Sequence, residues 1–213
     1  MKKILVINAS SREERSHSRR LTGVFVEYYK ECKPESIIKF RDLGKSNIPH
    51  VNEKWIAGAF KHESARTPEE IETLRFSAEL IKELKDADVI VLGSPMYNWS
   101  VPSSLKAYID QVLRVNETWE VNHEDQRNPY IGLLKNKSLF LLLSRGAQGY
   151  EKGGYNEHMN FQSDYLRTVF NIIGITDIQE VSVDGEAFGT EAFELTKNNS
   201  NARIKTLIKR HLS

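Results

Sequence analysis

Short continuous apolar runs alternate along the chain with longer stretches in which apolar residues recur at helical spacing. Continuous runs rich in branched residues are typical of strands that are covered on both faces of a parallel sheet. Five strands are predicted, at 3–8, 36–43, 89–92, 137–143 and 177–183. The second alternates like an edge strand, and Gly93, Ser94 and Pro95 are expected to break the third.

A helical pattern follows each predicted strand. The predicted helices run from the serines at 16 and 18 to Cys32, from Thr67 to about Lys85, and over 105–113, 159–173 and 190–212. Thr67 and Glu70 are spaced as a capping box around a first-position Pro68. Residues 47–66 have no clear period and are expected to form a functional loop or an interface arm, whereas 118–121 is expected to be a short strand that leads into a loop at 122–130.

The alternation of strands and helices predicts an α/β fold with a doubly wound parallel sheet. The loop after the first strand lacks both GxGxxG and GxxxxGK[ST], which weighs against the six-stranded dinucleotide-binding fold. It favours the flavodoxin-like sheet of five parallel strands, in the order 2-1-3-4-5 with helices on both faces. No linker rich in Pro, Gly or Ser divides the 213 residues, so we expect one domain over 1–213.

Composition narrows the class of protein. The net charge is +1, from 30 basic and 29 acidic residues, which argues against a nucleic-acid surface or a polybasic membrane patch. Cys32 is the only cysteine, so neither an internal disulfide nor a CxxC metal site can form, and a reducing, cytoplasmic location is expected. The apolar run after Met-Lys-Lys is too short for a signal peptide, and none approaches the roughly 18 residues of a membrane span.

Residues suited to binding and chemistry concentrate in three loops, each at the carboxyl end of a predicted strand. The first loop has Ser16 and Ser18 at a helix start, and a helix N-terminus with serine hydroxyls can hold a phosphate monoester. Arg12, Arg15 and Arg19 would add positive charge there. The alternative is that one serine is only the helix N-cap.

The second loop, 93–100, carries large amphipathic side chains where a turn usually has small polar ones. Met96, Tyr97 and Trp99 form either a wall for a flat cofactor or a cap on the core. The third loop begins at Ser144 and continues to Gly149. Since the first, third and fourth strands of the predicted sheet end at one edge, where ligands of such sheets bind, the three loops are expected to meet.

These loops resemble those of the FMN-dependent NADH azoreductases, also called FMN-dependent NADH:quinone oxidoreductases, of the flavodoxin-like superfamily. The resemblance rests on the loop from Asn8 to Ser18, the segment Pro95-Met96-Tyr97-Asn98-Trp99 and the turn Ser144-Arg145-Gly146. It extends over essentially the whole chain, including 174–177 and 184–189. The Met-Tyr-Asn segment followed by an aromatic residue is its most specific part.

The resemblance implies non-covalently bound FMN and no metal. It places the phosphate and ribityl end of FMN at Ser10, Ser16, His17 and Ser18. It places the isoalloxazine ring between Pro95, Met96, Tyr97, Asn98 and Trp99 on one side and Ser144, Arg145, Gly146 and Ala147 at the pyrimidine end. The chain departs from the family pattern at Trp99, Ala147 and 148–150, and the last two departures put the preference for acceptor substrates in doubt.

The resemblance also implies the reaction. NADH or NADPH passes a hydride to flavin N5, and quinones or azo compounds are reduced at the same place in a ping-pong cycle, with no catalytic side chain. The N–H groups of the Gly146 turn, or Arg145, are expected to stabilise negative charge on the flavin. Family members are homodimers, which would assign the 47–66 arm to the interface. The alternatives are a flavodoxin-like electron carrier, an NAD(P)H-dependent FMN reductase and a non-catalytic module of the same fold.

Overall fold

A computed structural model describes residues 1–213, apart from the side chain of Thr190. Along these residues the strands are β1 (Lys3–Asn8), β2 (Ile37–Asp42), β3 (Val89–Pro95), β4 (Trp119–Val121), β5 (Tyr130–Gly132), β6 (Ser138–Arg145) and β7 (Asp177–Asp184). The α-helices are α1 (His17–Cys32), α2 (Glu53–Ala59), α3 (Pro68–Asp86), α4 (Ser103–Val112), α5 (Ser163–Ile172) and α6 (Thr190–Leu212). No helix within this range is long and apolar enough to cross a bilayer.

Five of the strands form a parallel sheet in the order β2-β1-β3-β6-β7. The predicted five-stranded, doubly wound sheet and its order 2-1-3-4-5 are confirmed. β6 and β7 are the fourth and fifth strands of this sheet, since β4 and β5 form a separate antiparallel hairpin. The chain order reverses between β1 and β3, where Asn8 pairs with Gly93. Ligands of open α/β sheets bind beyond the carboxyl ends of strands at such a switch point.

Helices cover both faces of the sheet, and strand alternation decides which side chain meets which layer. Leu5 and Ile7 of β1 pack with α3, α4 and α5, whereas Ile4 and Val6 pack with α1 and α6. All four are buried. Because both faces of the central strands are covered, they appear in the sequence as continuous apolar runs without polar alternation.

The prediction that Gly93, Ser94 and Pro95 break the third strand is wrong. These residues continue β3, with Pro95 opposite Ser144 of β6, and Met96 N–H donates to the Ser144 carbonyl at 2.8 Å. Proline is tolerated at this last position because no further ladder bond requires its missing N–H. The carboxyl edge of the sheet therefore lies three residues further along β3 than the apolar run indicates.

The segment 47–66 is more regular than expected. It contains α2, which Asn52 caps by accepting from Trp55 N–H, and Trp55 packs with Leu74 of α3. A helix of seven residues is too short to show a clear apolar period, which is why the pattern failed here. The predicted loop at 122–130 likewise ends in Tyr130, which begins β5, and α5 begins at Ser163 rather than near Met159.

Candidate functional site

A cavity of about 190 Å³ lies at the carboxyl ends of β1, β3 and β6. Its lining comes from all three loops and from the segment after β7, and consists of Ser10, Arg12, Arg15, Ser16, His17, Pro95, Met96, Tyr97, Ser144, Arg145, Gly146 and Glu186. The loops thus border one cavity at the switch between β1 and β3. No cluster of His, Cys, Asp and Glu that could hold a metal ion occurs among the described residues.

The first wall is the start of α1. Ser16 is the N-cap, and its hydroxyl accepts from Arg19 N–H and lies 3.3 Å from the Ser18 hydroxyl. The backbone N–H groups of His17 and Ser18 belong to the first helical turn, where the helix itself offers no acceptor. Hydroxyls, first-turn N–H groups and the helix dipole are together suited to binding an anion.

Arg19 has a different position from its neighbours Arg12 and Arg15, which line the cavity. Its guanidinium donates to both carboxylate oxygens of Asp42 at 2.7 Å, and to the carbonyls of Ser10 at 2.6 Å and Arg12 at 2.9 Å. The expectation that Arg19 adds charge to the phosphate site is therefore wrong, since its donors are used behind the loop. Arg19 instead ties the first loop to the end of β2.

The charge of Asp42 and the close approach of Gly44 also help to hold this loop in place. Partial burial raises the pKa of Asp42, but the hydrogen bonds and charge of Arg19 outweigh burial and leave the pKa below its ordinary value. Gly44 approaches the loop so closely that a Cβ there would lie 2.0 Å from the Ser10 carbonyl oxygen. Because these contacts join the segments that follow β1 and β2, the pattern around the serines does not reveal them.

The second wall is a tight turn at 97–100. Tyr97 and Ser100 exchange two backbone hydrogen bonds of 3.0 and 3.1 Å, and the residues between them, Asn98 and Trp99, have φ values of 49° and 63°. Two consecutive left-handed residues are typical of a type I′ turn, which asparagine tolerates and tryptophan does not favour. Met96 and Tyr97 line the cavity, while Asn98 and Trp99 form the exposed tip.

The third wall contains Ser144, Arg145 and Gly146, but the Arg145 guanidinium is directed into the protein. Its side chain is only 2% exposed and donates to Gln162 at 3.2 Å, to Glu180 at 3.0 Å and to Ser163. It also lies 3.5 Å from Asp184, whose pKa burial raises and the Arg145 charge opposes. Arg145 therefore supports the wall from behind, with four of its five guanidinium N–H groups donating within the protein.

The segment after β7 forms a fourth wall that the loop analysis did not assign. Gly185, with a φ of 97°, donates its N–H to the Arg145 carbonyl at 3.1 Å, and Ala187 donates to the Gly146 carbonyl at 3.0 Å. These bonds place the Glu186 carboxylate 3.3 Å from His17 Nε2 and 3.6 Å from Arg12 Nη1. The only sequence signal was the resemblance over 184–189.

The structure brings most of the predicted site residues together. Nine line the cavity: Ser10, Ser16, His17, Pro95, Met96, Tyr97, Ser144, Arg145 and Gly146. Ser18 is buried beside Ser16, and Asn98, Trp99 and Ala147 lie outside the lining that the described residues form. The alternative in which Trp99 caps the core does not hold, because about half of its surface is exposed.

A larger and more open groove of about 860 Å³ begins at Ser100, just after the turn. Ser100, Gly154, Glu157, His158, Asn160, Phe161, Asp164, Tyr165 and Thr168 line it. Phe161, Trp99 and Tyr155 are exposed aromatic residues of this region. Tyr97 at one end of the turn thus lines the cavity, and Ser100 at the other end lines the groove.

The sequence of the chain is similar to those of known flavodoxin-like proteins. A family model described as having a flavodoxin-like fold matches residues 2–207. An "FMN-dependent NADH:quinone oxidoreductase" of Nostoc punctiforme is 44% identical over 184 residues, 86% of this chain and 87% of that protein. An "FMN-dependent NAD(P)H:quinone oxidoreductase 1" of Pseudomonas aeruginosa is 37% identical over 97% of this chain and 98% of that protein.

Solved structures agree with this comparison. An azoreductase from Bacillus anthracis superposes with a TM-score of 0.88 at 25% identity, and the match covers 99% of this chain and 100% of that chain. A second structure, an FMN-dependent NADH-azoreductase from Bacillus anthracis in complex with FMN, has a TM-score of 0.86 at 24% identity over the full length of both chains. At that lower identity the second match shows the fold alone.

Proposed function

Since the chain belongs to the FMN-dependent NADH:quinone oxidoreductase family of flavodoxin-like proteins, we propose that it is an FMN-dependent NAD(P)H oxidoreductase that reduces quinones and cleaves azo compounds. The observation that carries this proposal is the single cavity bordered by an anion-binding helix start and an aromatic turn at the β1–β3 switch point. A flat molecule that bears a phosphate requires both features at one place. Quinones and azo compounds are also flat, so a stacking site accommodates both.

The donor groups fit the phosphate end of FMN. Ser10 and Ser16 offer hydroxyls in the lining of the cavity, and His17 and Ser18 offer the first-turn N–H groups of α1. Arg12 adds positive charge at the rim of the cavity, as does Arg15. An isolated N-cap serine needs none of these additional donors, which is why the phosphate interpretation is favoured over the capping one.

The remaining walls fit the ring. Pro95, Met96 and Tyr97 offer an apolar and aromatic surface, which the tip residues Asn98 and Trp99 extend. At the pyrimidine end, Gly146 and Ala147 follow the last ladder pair of β6, Arg145 with Asp184. Their backbone N–H groups are the donors that we propose for that edge, since the Arg145 guanidinium is used elsewhere.

FMN, when bound, supplies two-electron transfer between a nicotinamide and an acceptor. The chain's own contribution is to bind, orient and leave one face open. We assign no side-chain acid or base: Arg12, His17 and Glu186 lie together at the anion end of the cavity, and we give Tyr97, in the ring wall, a packing role. One open face implies that donor and acceptor bind in turn, which predicts ping-pong kinetics.

The groove beside the turn supports a homodimer. Phe161 in its lining is exposed, as are Trp99 and Tyr155, which neighbour the lining residues Ser100 and Gly154 in the chain, and exposed apolar patches mark protein interfaces. We propose that a second copy of the chain covers this groove and shields the open face of the flavin from one side. We also propose that the chain acts in the cytoplasm, in keeping with its single cysteine, and forms one domain over 1–213.

Stopped-flow spectroscopy tests the proposed function. Purified protein reconstituted with FMN is mixed with NADH or NADPH, and the reduced protein is then mixed with a quinone or an azo dye. We expect fast bleaching of the flavin absorbance, followed by recovery with either acceptor. Recovery only with a protein redox partner would support an electron carrier, release of free reduced flavin would support an FMN reductase, and failure to bind FMN would overturn the enzyme proposal.

A further inference from the structure

Glu186 is an acidic residue in the wall of a cavity that otherwise collects cations and hydrogen-bond donors. Its carboxylate lies 3.3 Å from His17 Nε2 and 3.6 Å from Arg12 Nη1, two groups at the anion end of the cavity. The other charged lining residues, Arg12, Arg15 and the buried Arg145, are all basic. A carboxylate at this place opposes the binding of an anion and requires an explanation.

The backbone keeps Glu186 in this position. Gly185 N–H bonds to Arg145, and Ala187 N–H bonds to Gly146, so the residues on both sides of Glu186 are tied to the third wall. Gly185 has a φ of 97°, and a Cβ there would lie 2.5 Å from the Gln148 side-chain nitrogen. The close approach of the fourth wall to the third thus depends on a glycine, and it brings the carboxylate to the cavity.

The contacts between Glu186 and its two partners are loose enough for a bound phosphate to share these partners. Glu186 is 45% exposed and Arg12 is 58% exposed, and the separations of 3.3 and 3.6 Å exceed those of tight charged hydrogen bonds. A pair of this kind contributes little stability. His17 is more enclosed, with its ring packed edge-on against Phe193 of α6 at 4.7 Å, so it stays next to the carboxylate. A phosphate bound here would meet the Arg12 guanidinium and the His17 ring together with the negative charge of Glu186.

We propose that Glu186 competes with the flavin phosphate for Arg12 and His17, and so sets the affinity for FMN relative to flavins without a phosphate. The inference rests on the proposed function and deepens it. A like charge near a partly exposed anion site weakens binding, and its removal is worth on the order of tenfold in affinity. Riboflavin has no phosphate, so the charge of Glu186 should not change the affinity for riboflavin.

The test compares the dissociation constants of FMN and riboflavin, measured by quenching of flavin fluorescence at low and moderate salt. Glu186→Gln removes the charge and keeps the shape, and the matched control Glu191→Gln removes an exposed carboxylate from the first turn of α6. We expect Glu186→Gln to bind FMN about tenfold more tightly than the wild type, with riboflavin unchanged and the gain smaller at higher salt. Glu191→Gln should match the wild type for both flavins.

The outcomes separate this inference from the function on which it rests. Wild-type protein that binds neither flavin overturns both. If the wild type binds FMN and Glu186→Gln binds it equally or less tightly, the function stands and the competition does not; weaker binding would indicate that Glu186 orients His17 toward the phosphate. An equal gain for FMN and riboflavin also overturns the inference, since it would not arise at the phosphate.

Discussion

Asn98 and Trp99 combine backbone strain with a place next to the candidate site. Both have left-handed φ values, yet neither is glycine, and the turn that they form carries Met96 and Tyr97 into the cavity wall. Non-glycine residues in this region cost about 1–2 kcal/mol each and persist where the surroundings over-determine them. The strain is thus consistent with a turn held for binding rather than for stability.

Substitutions at position 98 test this interpretation. Asn98→Gly should keep the turn and FMN binding, whereas Asn98→Val should lower the free energy of unfolding by about 1–2 kcal/mol and weaken FMN binding, because a branched residue disfavours a φ of 49°. Asn136 has a φ of 60° before β6 and provides the control. Asn136→Val should lose similar stability in thermal unfolding but bind FMN normally; equal loss of FMN binding by both would contradict a local role for the turn.

Tyr108 of α4 is a second residue whose chemistry is unusual. Its side chain is fully buried, its hydroxyl has no hydrogen-bond partner among the residues that the structure describes, and burial raises its pKa, so it stays neutral. A buried polar group without a partner costs about 1–3 kcal/mol. Tyr108→Phe is therefore expected to raise the free energy of unfolding by about 1 kcal/mol in urea titrations. Tyr155→Phe, at an exposed position, should leave the free energy of unfolding unchanged. A loss of stability in Tyr108→Phe would contradict the interpretation that the buried hydroxyl destabilises the protein.

The link between β2 and α1 shows how elements position the site. The Arg19–Asp42 pair joins the first turn of α1 to the end of β2, and Arg19 also holds the Ser10 and Arg12 carbonyls of the loop between β1 and α1. One bidentate pair thus sets where the serine hydroxyls lie relative to β1. Bidentate Arg–carboxylate pairs give geometric specificity as well as stability.

Asp42→Asn tests this link. It should weaken FMN binding by loosening the loop, and it should lower the melting temperature at neutral pH. Because the folded-state pKa of Asp42 is lowered, its stabilisation is present above the ordinary carboxyl pKa of about 3.9 and is lost as the pH falls through the lowered value. The melting temperatures of wild type and variant should therefore converge in acid.

Asp86→Asn is the matched control for this prediction, since Asp86 pairs with Lys82 on the exposed face of α3. Exposed pairs at this helical spacing contribute about 0.3–0.5 kcal/mol, so its effect on stability should be small and its FMN affinity normal. A variant Asp42→Asn with unchanged FMN affinity would separate loop anchoring from cofactor binding.

At the scale of the whole molecule, the proposed dimer decides how open the site is. Phe161 is exposed in the groove beside the 97–100 turn, while α3, α4 and α5 cover the adjoining face of the sheet. Phe161→Glu places a charge in the proposed interface, where an unpaired buried charge is costly, and should convert a dimer into a monomer in sedimentation velocity.

Leu195→Glu is the control for the dimer, because Leu195 is exposed on α6, which packs against the opposite face of the sheet. We expect this variant to sediment like the wild type. If Phe161→Glu also remains unchanged, the groove is not the interface. If the wild type is already a monomer, the proposal of a dimer is wrong.

The sequence by itself determined the elements whose signals are local. Continuous apolar runs identify strands covered on both faces, and the Thr67–Glu70 capping box, which forms as predicted, marks the start of α3 to the residue. The order of the sheet followed from the missing glycine-rich turn, and the meeting of the three loops followed from that order. These inferences succeeded because each depends on neighbours within a few positions or on the topology of parallel sheets.

Only the tertiary structure decided which charges face the cavity. Arg19 and Arg145 resemble binding residues in the sequence, but their partners, Asp42 and Asp184, lie 23 and 39 positions away and hold both guanidinium groups out of the site. Glu186 enters the site for the same kind of reason, because its neighbours bond to the turn at Arg145 and Gly146. A side chain's environment is set by long-range packing that no local pattern encodes. The sequence therefore predicted where the cavity lies but not which charged side chains face it.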